Sequence, residues 1–147
     1  MPKSHNPEPL HPDLLDRVRA RFSDWPVTEG LGLEVLELRH GWASIRLPRS
    51  PRVLNGARGN MNGGWLANVA DMAFAFALCT YFDGMMPFAT SDLHVRYLEP
   101  AMGDVTAEAL VVRKSRNSAV LECRLLCGEV LVGFATAHFA IKSKLPG

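Results

Sequence analysis

Residues 61–82, which read MNGGWLANVADMAFAFALCTYF, constrain the fold of this chain more than any other segment. The run is long enough to cross a membrane, but Asn62 and Asp71 interrupt it. A central aspartate alone costs about 2.5–3.5 kcal/mol on insertion. Alanine is frequent, β-branched residues are few, and the following FDGMMP supplies a glycine and then a proline. The segment therefore predicts a helix over about residues 63–82 in a soluble protein, not a membrane span.

Asp71 is the one charged residue of this run, and no Lys or Arg lies three or four positions from it. An unpaired carboxylate on a buried helix is costly, so it must protonate, meet a partner from elsewhere or face a cleft. The alternative is a solvated stripe shared with Asn68, three residues earlier. Such a stripe normally carries Lys or Glu as well. We therefore interpret Asp71 as a candidate functional residue.

The start of the helix is the second candidate feature. Gly63 and Gly64 stand where backbone N–H groups lack partners and the helix dipole is positive, so these groups can point at a developing oxyanion. The alternative is that the glycine pair only shapes the turn into the helix. Asp71 follows Gly63 by eight residues. This distance along the helix is too great for both residues of one chain to reach the same substrate atom in a straight line. A cleft between two subunits could supply the missing geometry, with one protomer binding the carbonyl and the other the water.

The remaining segments predict one short helix and six strands. Residues 1–9 read as a flexible, proline-rich tail and residues 10–147 as a single domain. Helical spacing of Leu10, Leu14, Val18 and Phe22 predicts an amphipathic helix.

Two strands are predicted within residues 31–48, about a turn at 40–41, and four more after the long helix, with turns at 114–117 and 128–129. In the last strand one face is predicted to hold Leu131, Ala135, Ala137, Phe139 and Ile141. Consecutive strands with short turns favour an α+β fold with an antiparallel sheet.

A helix that is apolar nearly all round must be enclosed on most sides. A sheet curled around it achieves this, with several strands crossing the helix because it is longer than one strand is wide. An open curled sheet leaves a free edge, and pairing two protomers would cover it. We therefore predict a dimer.

Composition excludes several classes of function. The formal net charge of +1 gives no basic excess for nucleic-acid binding, and no basic amphipathic segment suits a membrane surface. The three cysteines lack the spacing of a zinc or disulfide site, which favours buried thiols in a reducing cytoplasm. Walker, GxSxG and HExxH motifs do not occur.

Two strings, NGARGNMNGGWLANVADMAFAFA and SDLHVRYLEPAMGD, resemble the hotdog-fold acyl-CoA thioesterases, most closely the phenylacetyl-CoA thioesterase-like subgroup. The resemblance covers about residues 30–142. It implies an α+β hotdog fold, in which a curled antiparallel sheet of five to six strands wraps around one long central helix. It also implies homodimers with active sites at the subunit interface, often paired into homotetramers.

The same resemblance assigns roles to individual residues. Asp71 would act as general base or nucleophile, and the Gly63 N–H, with Gly64 beside it, would polarise the thioester carbonyl. Asn55 matches a loop asparagine that holds water or the carbonyl, and Thr90 matches a hydroxyl residue that opens the following strand. No metal and no organic cofactor is expected, since coenzyme A is part of the substrate.

Two departures from the family pattern concern the helix start. Family members commonly carry histidine before the glycine pair, whereas this chain has Asn62, whose amide donates hydrogen bonds but cannot titrate. One additional residue between Asn55 and Asn62 makes Asn60 a competitor for the role of Asn55.

Basic residues supply candidate contacts to the phosphates of coenzyme A. Arg58 lies in the loop before the helix, and a hairpin cluster is formed by Arg113, Lys114, Arg116 and Asn117. The alternative for this cluster is a solvated turn.

The function predicted from the sequence is hydrolysis of an aryl- or medium/long-chain acyl-CoA to the free acid and CoA. The alternative is a non-catalytic hotdog protein that binds acyl-CoA or has a regulatory role. A hydratase or dehydratase is disfavoured because no histidine lies between His40 and His94 to serve the helix start.

Overall fold

The computed structural model describes residues 9–142, which contain two α-helices and six β-strands. Most of the predicted flexible tail, residues 1–8, lies outside the described residues. In chain order the elements are α1 Leu14–Phe22, β1 Glu34–Arg39, β2 Trp42–Leu47, α2 Gly63–Cys79, β3 Phe88–Tyr97, β4 Val105–Lys114, β5 Ser118–Cys127 and β6 Val130–Ile141.

The six strands form one curled sheet in the order β1-β2-β4-β5-β6-β3, and every neighbouring pair is antiparallel. The predicted α+β architecture, with a curled antiparallel sheet around a long helix, is therefore confirmed. Strand β3 follows α2 directly in the chain but pairs only with β6, at one edge of the sheet. Among residues 9–142 no strand pairs with its outward side, which is therefore a row of unpaired backbone groups.

Helix α2 packs against the concave side of the sheet, chiefly on β2, β4 and β5. Phe74, Phe76 and Leu78 have almost no exposed surface, and each such side chain contributes about 1.5–3 kcal/mol on burial. No helix within residues 9–142 has the length and apolarity needed to cross a membrane.

Helix α2 ends at Cys79, three residues before the predicted end at Phe82. The hydrogen bonds tighten there, from Tyr81 N–H to Leu78 O and from Phe82 N–H to Cys79 O. Gly84, with φ of +84°, then donates to Cys79 O at 2.9 Å and closes the helix end. Gly84, the glycine predicted to end the helix, therefore does so by binding the carbonyl of Cys79, five residues earlier.

One stripe along α2 is only half covered within a single chain. Its members recur at helical spacing and are small or polar: Gly64, Ala67, Asn68, Asp71 and Ala75. The opposite side of the helix is buried against the sheet. The charge of Asp71 therefore lies on the side that the sheet leaves open.

Helix α1 begins at Leu14, not at Leu10, because the chain still turns at Pro12 and Asp13. The buried face is as predicted, with Leu14, Val18 and Phe22 inside. Phe22 meets Phe76 of α2 edge to face, with ring centroids 4.8 Å apart. Helix α1 thereby covers the C-terminal half of α2.

The prediction of which β6 residues face the core is wrong at one residue. A bulge against β5 pairs Leu125 with Gly133 and Leu126 with Leu131, which leaves Val132 as the extra residue. Val132 is fully buried, whereas Leu131 is half exposed. The alternation of burial from Ala135 onward follows the prediction.

Two of the three cysteines are buried, as predicted, and Cys127 is half-buried. Burial raises the pKa of Cys79 to about 12 and that of Cys123 to about 12. Both thiols are therefore protonated and unreactive near neutral pH.

Candidate active site

The start of α2 is capped by Asn62, the residue that stands where the family commonly has histidine. Its Oδ1 accepts from the Gly64 N–H at 2.8 Å, and its Nδ2 donates to Asn55 Oδ1 at 2.8 Å. Its backbone N–H donates to Val53 O at 2.7 Å. Both polar atoms of the Asn62 side chain are therefore used: Oδ1 caps the helix start and Nδ2 ties it to the loop.

The loop before α2 brings Asn55, and not its competitor Asn60, to Asn62. The Asn55 N–H donates to Asn60 O at 2.7 Å, and Gly59 N–H donates back to Asn55 O at 3.2 Å. This closes a tight turn whose exposed tip includes Arg58. Both asparagines nevertheless face one cavity with Gly63.

The absence of side chains at Gly63 and Gly64 has a steric reason at each position. A Cβ on Gly63 would lie 3.1 Å from Cζ of Tyr97, and one on Gly64 would lie 2.9 Å from Oδ1 of its own cap, Asn62. The Gly63 N–H has no acceptor among residues 9–142. It is thus a free donor at the positive end of a helix.

A cavity of about 320 Å³ opens at this helix start. Its wall combines four polar side chains and the Gly63 backbone with an otherwise apolar lining. The lining residues are Asn55, Asn60, Met61, Gly63, Leu66, Tyr97, Leu98, Glu99, Pro100 and Ala101. An apolar cleft with a few convergent polar groups is typical of a site for an organic ligand.

Asp71 lies half-buried near the middle of α2 and accepts a hydrogen bond from Thr90 Oγ1 at 2.7 Å. Thr90 is in β3, next to a bulge at Ser91 in the pairing with β6. Bulges re-aim neighbouring side chains. None of the ion pairs found within residues 9–142 involves Asp71, so the carboxylate is held by a neutral hydroxyl.

The predicted catalytic residues, together with the predicted substrate-binding residues Asn62 and Gly64, thus form two groups. The helix-start group comprises Asn55, Asn62, Gly63 and Gly64, and the carboxylate pair comprises Asp71 and Thr90. Eight residues of helix separate Gly63 from Asp71, which is about 12 Å along the axis. Asp71 and Thr90 do not line the cavity at the helix start. Within a single chain the members of each group therefore lie close together, but the helix-start group and the carboxylate pair are separate from each other.

The hairpin cluster lies at the other end of α2 from Gly63. Lys114 Nζ is 5.4 Å from the ring centroids of both Tyr81 and Phe82, just beyond the C-terminus of the helix. Arg113, Arg116 and Asn117 are exposed beside it. Within one chain the cluster is therefore remote from the cavity.

Two residues at the site carry no role in the sequence-based prediction. The Tyr97 hydroxyl donates to Gly63 O at 2.6 Å. Oδ1 of Asn68, on the open stripe between the two groups, is buried and has no hydrogen-bond partner within the described part of the chain. Tyr97 lies 34 residues from Gly63, so no local pattern could have linked them. The helical spacing of Asn68 and Asp71 was the only available signal for Asn68.

A model of the thioesterase superfamily matches residues 58–133 of this chain. The match runs from the loop before α2 to the first residues of β6, and so contains Asn62, Gly63, Asp71 and Thr90.

Individual proteins resemble the chain over most of its length. The Halobacterium salinarum protein named "Putative esterase" is 30% identical over 114 residues, covering 75% of this chain and 76% of that protein. A mutant of the phenylacetic acid degradation protein PaaI from Thermus thermophilus is 29% identical, with a TM-score of 0.72 over 80% of this chain and 99% of its own. A conserved protein from Pseudomonas aeruginosa is 26% identical, with a TM-score of 0.75 over 82% and 97%.

Proposed function

The chain belongs to the thioesterase superfamily, and from this premise we propose that it hydrolyses an acyl-CoA thioester to the free acid and CoA. The observation that carries the proposal is Asp71, a half-buried carboxylate on an otherwise uncharged helix. Within residues 9–142 no cation pairs with this carboxylate, and an unpaired charge is costly to keep on a largely buried helix, which favours a chemical role for it.

Asp71 acts on water or on the thioester itself. As a general base, it takes a proton from water while the water oxygen attacks the carbonyl carbon, and the intermediate then expels the CoA thiolate. As a nucleophile, its carboxylate oxygen attacks the carbonyl carbon and the C–S bond breaks, which releases the CoA thiolate and leaves an acyl anhydride; water then cleaves the anhydride to the free acid and regenerates the carboxylate. In both routes Thr90 fixes the orientation of the carboxylate through the 2.7 Å hydrogen bond.

The Gly63 N–H stabilises the negative charge that develops on the carbonyl oxygen. It is a free donor at a helix N-terminus, and the cavity beside it offers space for the thioester. Loss of one such donor in other acyl-transfer sites costs about 2.7–4 kcal/mol. The Asn62 cap fixes the next amide, and its bond to Asn55 ties the loop to the same point.

One chain does not place both groups on one thioester, so we propose that the active site forms between two protomers. The carboxylate pair of one protomer then completes the helix-start group of its partner. The unpaired edge strand β3 supports this proposal, because pairing with a second β3 removes an exposed edge. The open stripe of α2 also supports it, since Ala67, Asp71 and Ala75 remain partly exposed within one chain.

Contacts to the CoA phosphates remain predictions for Arg58 and the hairpin cluster. Arg58 is exposed on the loop that shapes the cavity, whereas the hairpin cluster reaches a bound nucleotide only across a protomer boundary. A homotetramer of two such dimers, a cytoplasmic location and the absence of a cofactor likewise remain predictions.

The proposal is tested with a panel of aryl-, medium-chain and long-chain acyl-CoAs, in which release of CoA thiol is followed for each substrate. We expect turnover of at least one class, with kcat in the range of about 1–10³ s⁻¹ typical of enzymes. Binding of the same compounds is measured in parallel by calorimetry. Binding without thiol release over the whole panel would contradict hydrolysis and favour the non-catalytic acyl-CoA-binding alternative.

A further inference from the structure

Tyr97, at the end of β3, contacts the start of α2 in two ways. Its hydroxyl donates to Gly63 O at 2.6 Å, and its ring occupies the space that a side chain on Gly63 would need. The Tyr97 side chain is nevertheless 53% exposed. Within one chain, the contact with Gly63 is therefore the main interaction of this side chain.

The peptide that joins Gly63 to Gly64 is held at both ends. Tyr97 binds its carbonyl oxygen, and Asn62 Oδ1 accepts from its N–H at 2.8 Å. Glycine has more backbone freedom than any other residue, so Gly63 depends on such external contacts for a fixed conformation. With the following peptide fixed, rotation about Gly63 is restricted and so is the direction of its own N–H.

We infer that Tyr97 is a positioning residue that aims the Gly63 N–H at the thioester oxygen, an inference that rests on the proposed function. An oxyanion donor is effective only when it is held within about 2.7–3.1 Å of the developing charge. Tyr97 and Gly63 line the same cavity. Because the Tyr97 hydroxyl donates its hydrogen to Gly63 O, Tyr97 acts through Gly63 and not by proton transfer.

Strand β3 holds both catalytic groups of α2 through two side chains. Thr90 binds Asp71 near one end of the strand, and Tyr97 binds Gly63 at the other. The same strand forms the free edge of the sheet. Pairing of this edge with a second protomer thus fixes the strand whose side chains hold both Asp71 and Gly63.

The chain offers a matched test because it contains two tyrosines, Tyr97 and Tyr81. Tyr97→Phe removes the hydroxyl and keeps the ring against Gly63. We expect kcat for the best acyl-CoA to fall about tenfold, a fraction of the effect of losing the donor entirely, with KM within about twofold. Tyr81→Phe is the same chemical change beyond the far end of α2, and we expect wild-type kinetics.

A second measurement is independent of activity. The exchange rate of the Gly64 amide proton, measured by NMR, should rise about 2- to 10-fold in Tyr97→Phe, because the peptide loses one of its two anchors. It should not change in Tyr81→Phe.

Three outcomes would overturn the positioning role: an unchanged kcat, a raised KM with unchanged kcat, which would make Tyr97 a substrate contact, or unchanged exchange at Gly64. A wild-type protein that hydrolyses no acyl-CoA would refute the proposed function instead. In that case the exchange measurement still decides whether Tyr97 holds the helix start.

Discussion

Asp71→Asn lowers kcat for acyl-CoA hydrolysis by about 10²–10⁴-fold and leaves KM nearly unchanged, the range expected for loss of general-base or nucleophilic catalysis. The substitution keeps the shape of the side chain, and its amide oxygen still accepts from Thr90. What it loses is the negative charge that accepts a proton or attacks the carbonyl. Initial rates of thiol release, together with melting temperature and oligomeric state, separate a chemical defect from a folding defect.

Asp92→Asn is the matched control for this change. Asp92 is also in β3, two residues after Thr90, and its Oδ1 accepts from the His138 N–H at 3.2 Å, a role that asparagine retains. We expect its kcat to stay within about twofold of wild type, since surface substitutions of this kind perturb stability by less than about 0.5 kcal/mol. Undiminished turnover in Asp71→Asn would contradict the assignment of the carboxylate.

Gly63→Val lowers kcat by about 10²–10³-fold, the cost of losing one oxyanion donor. The first added carbon already lies 3.1 Å from Cζ of the Tyr97 ring, so the ring must move and the hydroxyl bond to Gly63 O must lengthen. The helix start then shifts, and the Gly63 N–H moves from the position at which it would meet the thioester oxygen. Steady-state kinetics on the best substrate of the acyl-CoA panel measures the loss.

Gly56→Val supplies the control in the same loop. A Cβ added at Gly56 meets no atom within 4 Å, so we expect activity within about twofold of wild type. Wild-type kcat in Gly63→Val would show that the helix start does not contribute to the chemistry.

The sequence was sufficient for the fold because two patterns are strong and local. An apolar helix without charged faces must be enclosed, and alternating strands with short turns supply an antiparallel sheet to enclose it. The order of the strands was not accessible, because the pairing of β3 with β6 joins segments about 40 residues apart. The bulge at Val132 in β6 was missed for a related reason, since it depends on the facing strand β5.

The site was partly accessible from the sequence. Asp71 is identifiable as a lone charge within the helix, and the glycine pair as a helix start. Their partners are side chains distant in the chain: Thr90 lies 19 residues from Asp71, and Tyr97 lies 34 residues from Gly63. Thr90 was found through the family resemblance, whereas the contact of Tyr97 with Gly63 is visible only in the structure.

The central claim is that Asp71 of one protomer and Gly63 of its partner form one active site. It is tested most directly by co-expressing Asp71→Asn and Gly63→Val chains with different affinity tags and purifying the mixed dimer. A shared site leaves one of the two centres intact, so the mixed dimer is expected to recover about half of the wild-type rate while each parent dimer stays nearly inactive. A mixed dimer as inactive as its parents would contradict the claim, because it would place Asp71 and Gly63 of the same chain in one site.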